Sequence, residues 1–317
     1  MRPACGAGTG SAVKLFSIPH SALRIPHSVC SALGMFRNPK SQMGGTAIAN
    51  GRLTARSPRR LLSVPYRIAC ALGVDPLRMI RGLADVPRFV RTAVHYRRAR
   101  RETSAFGLAL TSLYPCFGDW RETAASVGGH YFYQDLWAAQ KICCVRPTIH
   151  LDIGSRIDGF VAHLLCFMPV TVVDIRPLPL TVEGLTFIEE DATSLKQFAD
   201  SSLESISSLH AVEHFGLGRY GDPVNPDAPF EVMDSLARVL RPGGRLYFSV
   251  PIGRQRLEFN AHRVFSPSTI LKAFSSLGLV SFSAVTDRGE YLTDAEPDTF
   301  ADAWYACGLF EFTKCLG

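Results

Sequence analysis

From Thr148 onward the chain alternates short apolar runs with amphipathic ones, and that alternation limits the folds it can adopt. A strand of period 2 followed by a helix of period 3.6, repeated, is the pattern of parallel strands joined by crossover helices. Strands are expected at Thr148–Ile153, Val170–Ile175, Leu185–Glu189, Ser205–Ala211, Arg245–Val250, Val280–Val285 and Ala306–Phe312. Helices are expected at 157–167, from Ser194, at 229–240 and at 267–277, with Tyr131–Val145 leading into the core. The expected fold is therefore α/β, Rossmann-like, with a seven-stranded sheet and helices on both faces. A basic, partly disordered N-terminal extension precedes it.

Charge divides the chain. Met1–Val74 has ten Lys or Arg and no acid, and residues 75–101 add eight Arg against Asp75 and Asp85. Residues 102–317 hold 16 basic and 26 acidic side chains, so the net +6 does not belong to the α/β region. Basicity confined to one end is a poor footprint for a nucleic-acid surface, and no clear nucleic-acid binding is expected. Three segments follow: a basic leader or tail of low order over 1–75, a helical extension over 76–128 and the α/β domain over 129–317. The leader reads as an organellar transit peptide, as a disordered tail, or as sequence upstream of a later start at Met43 or Met79. Within the extension, Leu77–Arg101 has apolar residues at helical spacing interrupted by Pro87, with its Arg side chains largely on the other face. That pattern suits the solvated face of a packing helix, or contact with a membrane surface.

Nine cysteines occur without a C-x-x-C pair. They are expected to be reduced thiols, mostly in the core, with no metal site and a cytoplasmic setting, or an organellar one if the leader is a transit peptide. The longest apolar stretch, Phe160–Ile175, is broken by His163, Pro169 and Asp174, so no membrane span is expected.

Candidate chemistry clusters where such sheets bind ligands, beyond the carboxyl ends of the strands. Residues 150–159 (HLDIGSRIDG) place Asp152 at a strand end and Gly154 in the turn that follows. A glycine there lets backbone approach a ligand closely. A carboxylate beside it suits a cofactor with a cationic amino-acid end and would repel a pyrophosphate. Asp174 ends the next strand, about twenty residues beyond Gly154, where an acid accepts hydrogen bonds from ribose hydroxyls. Asp191 and Ala192 follow the third strand, where an adenine amino group would be met. The expected cofactor-binding set is Asp152, Gly154, Ser155, Asp174, Ile175, Asp191, Ala192 and His210. Glu213, His214 and His262 are the catalytic candidates, with Glu213 or His214 as base toward a hydroxyl. Tyr131, Tyr133 and Asp135 are placed to close the cleft, and the Gly- and Pro-rich stretch 216–228 to contact substrate.

Residues 210–214 also spell H-x-x-E-H, a zinc-protease pattern that needs both histidines on one helix. The stretch follows a strand and runs into Gly216, which leaves no such helix. A nicotinamide enzyme would need Gly-x-Gly-x-x-Gly, which is absent.

Leu240–Val250 (LRPGGRLYFSV) and Ser207–Phe215 (SSLHAVEHF) resemble elements of class I S-adenosylmethionine (SAM)-dependent methyltransferases. Over Gly129–Lys314, the segments GHYFYQDLWAAQKI, HLDIGSRIDGFVAHLL, LHAVEHFGLGRYGDP and FNAHRVFSP resemble the Caenorhabditis-type family of uncharacterised, methyltransferase-like proteins. The resemblance implies SAM as cofactor and methyl transfer to a small-molecule or glycan substrate. A sugar or glycan hydroxyl is the favoured acceptor, an expectation drawn from bacterial relatives and not from any residue. One departure stands out: Arg156 and Asp158 occupy the second and third glycine positions of the usual Asp-x-Gly-x-Gly-x-Gly loop. The alternative implied by that departure is a non-catalytic binding or scaffold protein of the same shape.

Overall fold

The computed structural model describes residues 63–99, 108–121 and 129–315. Most of the basic leader lies outside them. The chain separates into two compact units, Met1–Pro76 and Leu77–Gly317. In the first, the described structure is helix α1 (Ser63–Ala71), which the sequence reading had left within the low-order leader, and Tyr66 Oη donates to Asp75 at 3.1 Å.

In the second unit, α2 (Pro76–Ala99) runs on through Pro87, where the sequence pattern is interrupted. Its apolar residues Leu77, Ile80 and Leu83 are exposed, and the residue it buries is Asp85. That carboxylate accepts from Trp120 Nε1 (3.2 Å) and from both terminal nitrogens of Arg121, one at 2.8 Å. A buried acid held by a guanidinium, rather than an apolar stripe, ties the helix to residues 119–121.

The domain proper is built from α3 (His130–Val145), β1 (Leu151–Ile153), β2 (Val170–Asp174), β3 (Leu185–Glu189), β4 (Leu203–Leu209) and β5 (Leu240–Ile252). Helix α4 (Ala162–Leu165) lies between β1 and β2, and α5 (Ala228–Val239) between β4 and β5. Then come β6 (Arg256–Glu258), β7 (His262–Val264), α6 (Pro267–Ala273), β8 (Gly278–Val285), β9 (Tyr291–Leu292) and β10 (Ala306–Thr313). The main sheet has the order β3-β2-β1-β4-β5-β10-β8-β9. Strands β3 to β5 pair in parallel, and β10 inserts antiparallel between β5 and β8. The strand order reverses at β1, which opens a crevice between β1 and β4, the place where sheets of this kind bind ligands.

Helices cover both faces. On one, Trp137, Ala138 and Ile142 of α3 pack with Phe160 and Leu164 against Val172, Tyr247 and Leu309. On the other, Val232, Met233 and Leu236 of α5 and Ile270 of α6 pack against Ile206, Phe248 and Phe310. Each fully buried side chain of this size contributes roughly 1.5–3 kcal/mol.

Three expected elements differ. β1 begins only at Leu151, because the Thr148 and Ile149 amides donate to the Glu204 carboxylate instead of a neighbouring strand. The segment after Ser194 forms turns and no helix. Arg238 of α5 takes the carbonyls of Ser194 and Leu195, both at 3.0 Å, and Leu195 sits at φ +41°. The 157–167 helix opens as a π turn (Ile157–Val161) before α4. The sheet gains β9, a two-residue edge strand, and β6 and β7 pair in a separate hairpin.

Candidate functional site

Beyond the carboxyl ends of β1, β2 and β4 lies a cavity of about 130 Å³. Of the expected cofactor set, Gly154, Asp174, Ile175, Asp191, Ala192 and His210 line it. Gly154 has φ +66°, and a Cβ there would come within 3.1 Å of the Ala211 methyl, so the bend demands glycine. Its amide donates to the Val173 carbonyl, tying the bend to β2.

Asp152 and Ser155 are elsewhere. Both are buried behind the cavity wall. Asp152 Oδ1 accepts from Ser155 Oγ (2.6 Å) and Ser207 Oγ (2.5 Å), and Oδ2 accepts from the Ser155 amide (3.0 Å). Ser155 Oγ in turn accepts from the Leu209 amide. Burial pushes the Asp152 carboxyl up to about 6, with the serine hydrogen bonds opposing the rise. Asp152, the central residue of β1 and paired with both β2 and β4, thus fastens the loop to β4 and does not line the cavity.

Asp174 ends β2 with a side chain one-tenth exposed. Arg176 grips it through its backbone amide (2.9 Å), Nε (2.9 Å) and Nη2 (2.5 Å). The Arg176 guanidinium also lies 4.8 Å from the Tyr220 ring centre. Asp191 Oδ1 accepts from the Thr193 amide, which shapes the turn that presents Ala192. Arg156 pairs with Asp158 at 2.9 Å and stands 5.1 Å from the Tyr131 ring. It lines the cavity, while Asp158 is exposed away from it.

The opposite wall carries the histidines. His210 follows β4 at φ +49°, and its Nδ1 lies 2.7 Å from Glu213 Oε1. Both side chains are nearly fully buried. Burial lowers the His210 pKa, but Cys307 and Glu213 outweigh it and hold it well above the ordinary histidine value. Burial likewise raises Glu213, and His210 overcomes that to hold it low. His214, in the 3-10 turn Val212–His214, lines the cavity. Its Nδ1 donates to the Ala261 carbonyl at 2.7 Å, and Nε2 lies 3.8 Å from Glu213 Oε1. Burial lowers its pKa. The turn holding it is too short to align His210 and His214 on one face, which removes the zinc-protease geometry.

Other residues around the site divide between supports and lining. His262 packs against Tyr305 at 5.1 Å and is not on the cavity wall. Arg263 donates to the carbonyls of Phe215 (2.6 Å) and Glu213 (3.4 Å), bracing the loop. Tyr131 lines the cavity, Tyr133 stacks on Tyr291, and Asp135 lies beneath Gly159, where a Cβ would meet its Oδ2 at 2.5 Å. From the 216–228 loop, Tyr220 and Asp222 face the cavity. Arg176 was missed because its importance comes from a two-residue return onto Asp174, a contact no spacing rule flags. His130 and Cys307 were missed as well. Among the described residues, their ligand atoms and one from His210 form the single group whose spacing suits a metal ion, all within 4.8 Å of one another.

Residues 185–296 match the family described as Caenorhabditis protein of unknown function, DUF268. No curated protein matches the chain. Among solved structures, the YcgJ protein from Bacillus subtilis is 17% identical, with a TM-score of 0.43 over 58% of this chain and 99% of its own. The 1,6-didemethyltoxoflavin-N1-methyltransferase of Burkholderia thailandensis, solved with S-adenosylhomocysteine, is 17% identical, with a TM-score of 0.42 over 74% and 90%. The methyltransferase bound to Trm112 of Haloferax volcanii is 16% identical, with a TM-score of 0.39 over 57% and 90%.

Proposed function

We propose that this chain, matched over residues 185–296 to an uncharacterised family, binds SAM and transfers its methyl group to a hydroxyl of a small molecule, a sugar or glycan being favoured. One observation carries the reading: the cavity opens at the strand-order reversal and is walled by Gly154, Asp174 and Ala192 in the order the adenosyl group requires. The fit is chemical as well as positional. A Cβ would crowd the approach at Gly154, Asp174 offers acceptors for ribose hydroxyls, and the Asp191–Ala192 turn offers an edge for adenine.

When bound, SAM supplies a methyl carbon on a sulfonium sulfur, open to in-line displacement. The residues around it have to align the acceptor and take its proton. His214 suits the second task. With Nδ1–H committed to the Ala261 carbonyl, Nε2 carries the lone pair, and the buried Glu213 carboxylate beside it stabilises the imidazolium formed. His262, off the cavity wall, packs against Tyr305.

Titration of the purified chain with SAM and with S-adenosylhomocysteine by calorimetry tests the cofactor. Binding heat with a thermal shift is expected; neither with either ligand overturns the reading. The second reading, a scaffold that binds without turnover, is favoured by Arg156 at the cavity wall in a glycine position. Methyl release against carbohydrate pools separates the two, since a scaffold releases no more than a His214→Gln variant.

Among the described residues no helix is long and apolar enough to cross a membrane. We place the activity in the cytoplasm or in an organelle.

A further inference from the structure

We propose that His130, His210 and Cys307 bind one divalent transition metal ion, with Zn²⁺ the best chemical match. The three come from the first turn of α3, the residue just after β4 and strand β10, so the fold assembles what the sequence scatters. One ligand atom from each lies within 4.8 Å of the others. A tetrahedral ion with N and S ligands holds neighbouring donors roughly 3.3–3.8 Å apart, so a contraction of about an ångström closes the set.

An independent observation points into the same space. His210 Nε2 is buried without a hydrogen-bond partner, in a side chain only 3% exposed. Its Nδ1 is engaged by Glu213 at 2.7 Å. A carboxylate on one imidazole nitrogen fixes the tautomer that leaves the other nitrogen's lone pair for a metal, the arrangement by which metal-ligating histidines are commonly oriented. Glu213 would serve here as that orienting carboxylate while remaining beside His214.

The donor set selects the metal. Two imidazoles and a thiolate are too soft for Mg²⁺ or Ca²⁺, which take oxygen ligands. Charge also balances: the Cys307 thiolate and the Glu213 carboxylate together offset a divalent ion in a site where unpaired charge is costly. Binding releases the Cys307 thiol proton, and any proton on His210 Nε2, to solvent. The surroundings hold the ligands in place. His130 is stacked between His210 (5.2 Å) and Tyr305 (5.1 Å), and Cys307 is fully buried, beside His210, with a 4.0 Å contact to Gln134 Oε1 and a 3.9 Å contact to the Gly308 carbonyl. Three protein ligands leave a fourth position, and His210 alone of the three also lines the cavity beyond β1, β2 and β4. The sequence reading expected no metal because nothing in the cysteine spacing hints at this grouping. The inference does not rest on methyl transfer.

The test uses the whole chain, stripped with chelator and titrated with Co²⁺ and then Zn²⁺. A thiolate-to-cobalt charge-transfer band saturating at one equivalent and bleached by Zn²⁺ is expected. Cys307→Ser and His210→Gln should each abolish it, whereas Cys144→Ser, at an exposed cysteine, should leave it unchanged. No band, or a band that survives both substitutions, overturns the site. Should a variant fail to fold, X-ray absorption of the unaltered cobalt form decides. One sulfur and two imidazoles around cobalt support the site, and a shell without sulfur or with several sulfurs overturns it.

Discussion

Ser207 Oγ donates to Asp152 Oδ1 at 2.5 Å, joining the end of β1 to the middle of β4 directly beneath the glycine bend. Asp152 accepts three hydrogen bonds and donates none, as only a carboxylate can. Asp152→Asn turns an amide nitrogen toward a donor on one side. It is expected to cost roughly 1–3 kcal/mol of stability by leaving buried donors unpaired. It should also weaken SAM binding by about tenfold, because the Gly154 loop loses its anchor. Denaturant unfolding and calorimetry measure the two effects. Unchanged affinity would detach the network from the site.

The same network continues to His150, whose Nδ1 and Nε2 lie 2.8 and 2.9 Å from the hydroxyls of Ser205 and Ser207. Ser207 gives its proton to Asp152, so His150 Nε2–H donates to Ser207 and Nδ1 accepts from Ser205. Burial lowers the His150 pKa to about 3 from 6.5. The unfolded chain therefore binds this proton first. Stability from the neutral ring is full above pH 6.5 and is lost as pH falls toward 3, by about 1.4 kcal/mol per unit. Asp152 has the opposite sign: its raised pKa withdraws stability as pH rises from about 4 to 6. Unfolding free energies of the native chain and His150→Gln, compared between pH 7 and 4, should differ by the histidine slope alone. Parallel curves would exclude His150 as the acid-sensitive group.

Replacing His214 with Gln keeps a donor for the Ala261 carbonyl and removes the basic nitrogen. Turnover is expected to fall by roughly 10²–10⁴-fold, with SAM affinity and melting temperature preserved. Since burial lowers the His214 pKa, the acid limb of kcat should have its midpoint below 6.5. A limb at higher pH would point to another base.

Arg176 occupies both oxygens of Asp174, where ribose hydroxyls would compete for acceptors. Arg176→Ala should change stability by no more than about 0.5 kcal/mol, as befits a half-exposed side chain. It should tighten SAM binding several-fold, and Asp174→Ala should weaken it by at least about tenfold. If Asp174→Ala binds normally, the ribose assignment is wrong.

Alternating apolar periods read directly as strands and helices, because burying one face of each element is a local property of spacing. The strand Leu185–Glu189, the strand expected at Val170–Ile175 and found at Val170–Asp174, and the glycine bend at Gly154 were all legible on that basis. The turns around Leu195 were not, since a long-range grip by Arg238 overrides their local preference. Which way a carboxylate points was equally hidden. Asp152 and Asp174 look alike in sequence, each near the end of an expected strand, yet one is enclosed by serines and the other faces the cavity.

What the residues determined alone was the layered α/β plan and the edge of the sheet at which the cavity opens, because both follow from periodicity and from where loops fall in such a sheet. Tertiary structure decided the rest: the roles of Asp152 and Arg176, the placing of His262 behind Tyr305, and the meeting of His130, His210 and Cys307. Those depend on distances between groups far apart along the chain, set only when packed layers bring separate strand ends together in a medium where an unpartnered buried polar atom is costly.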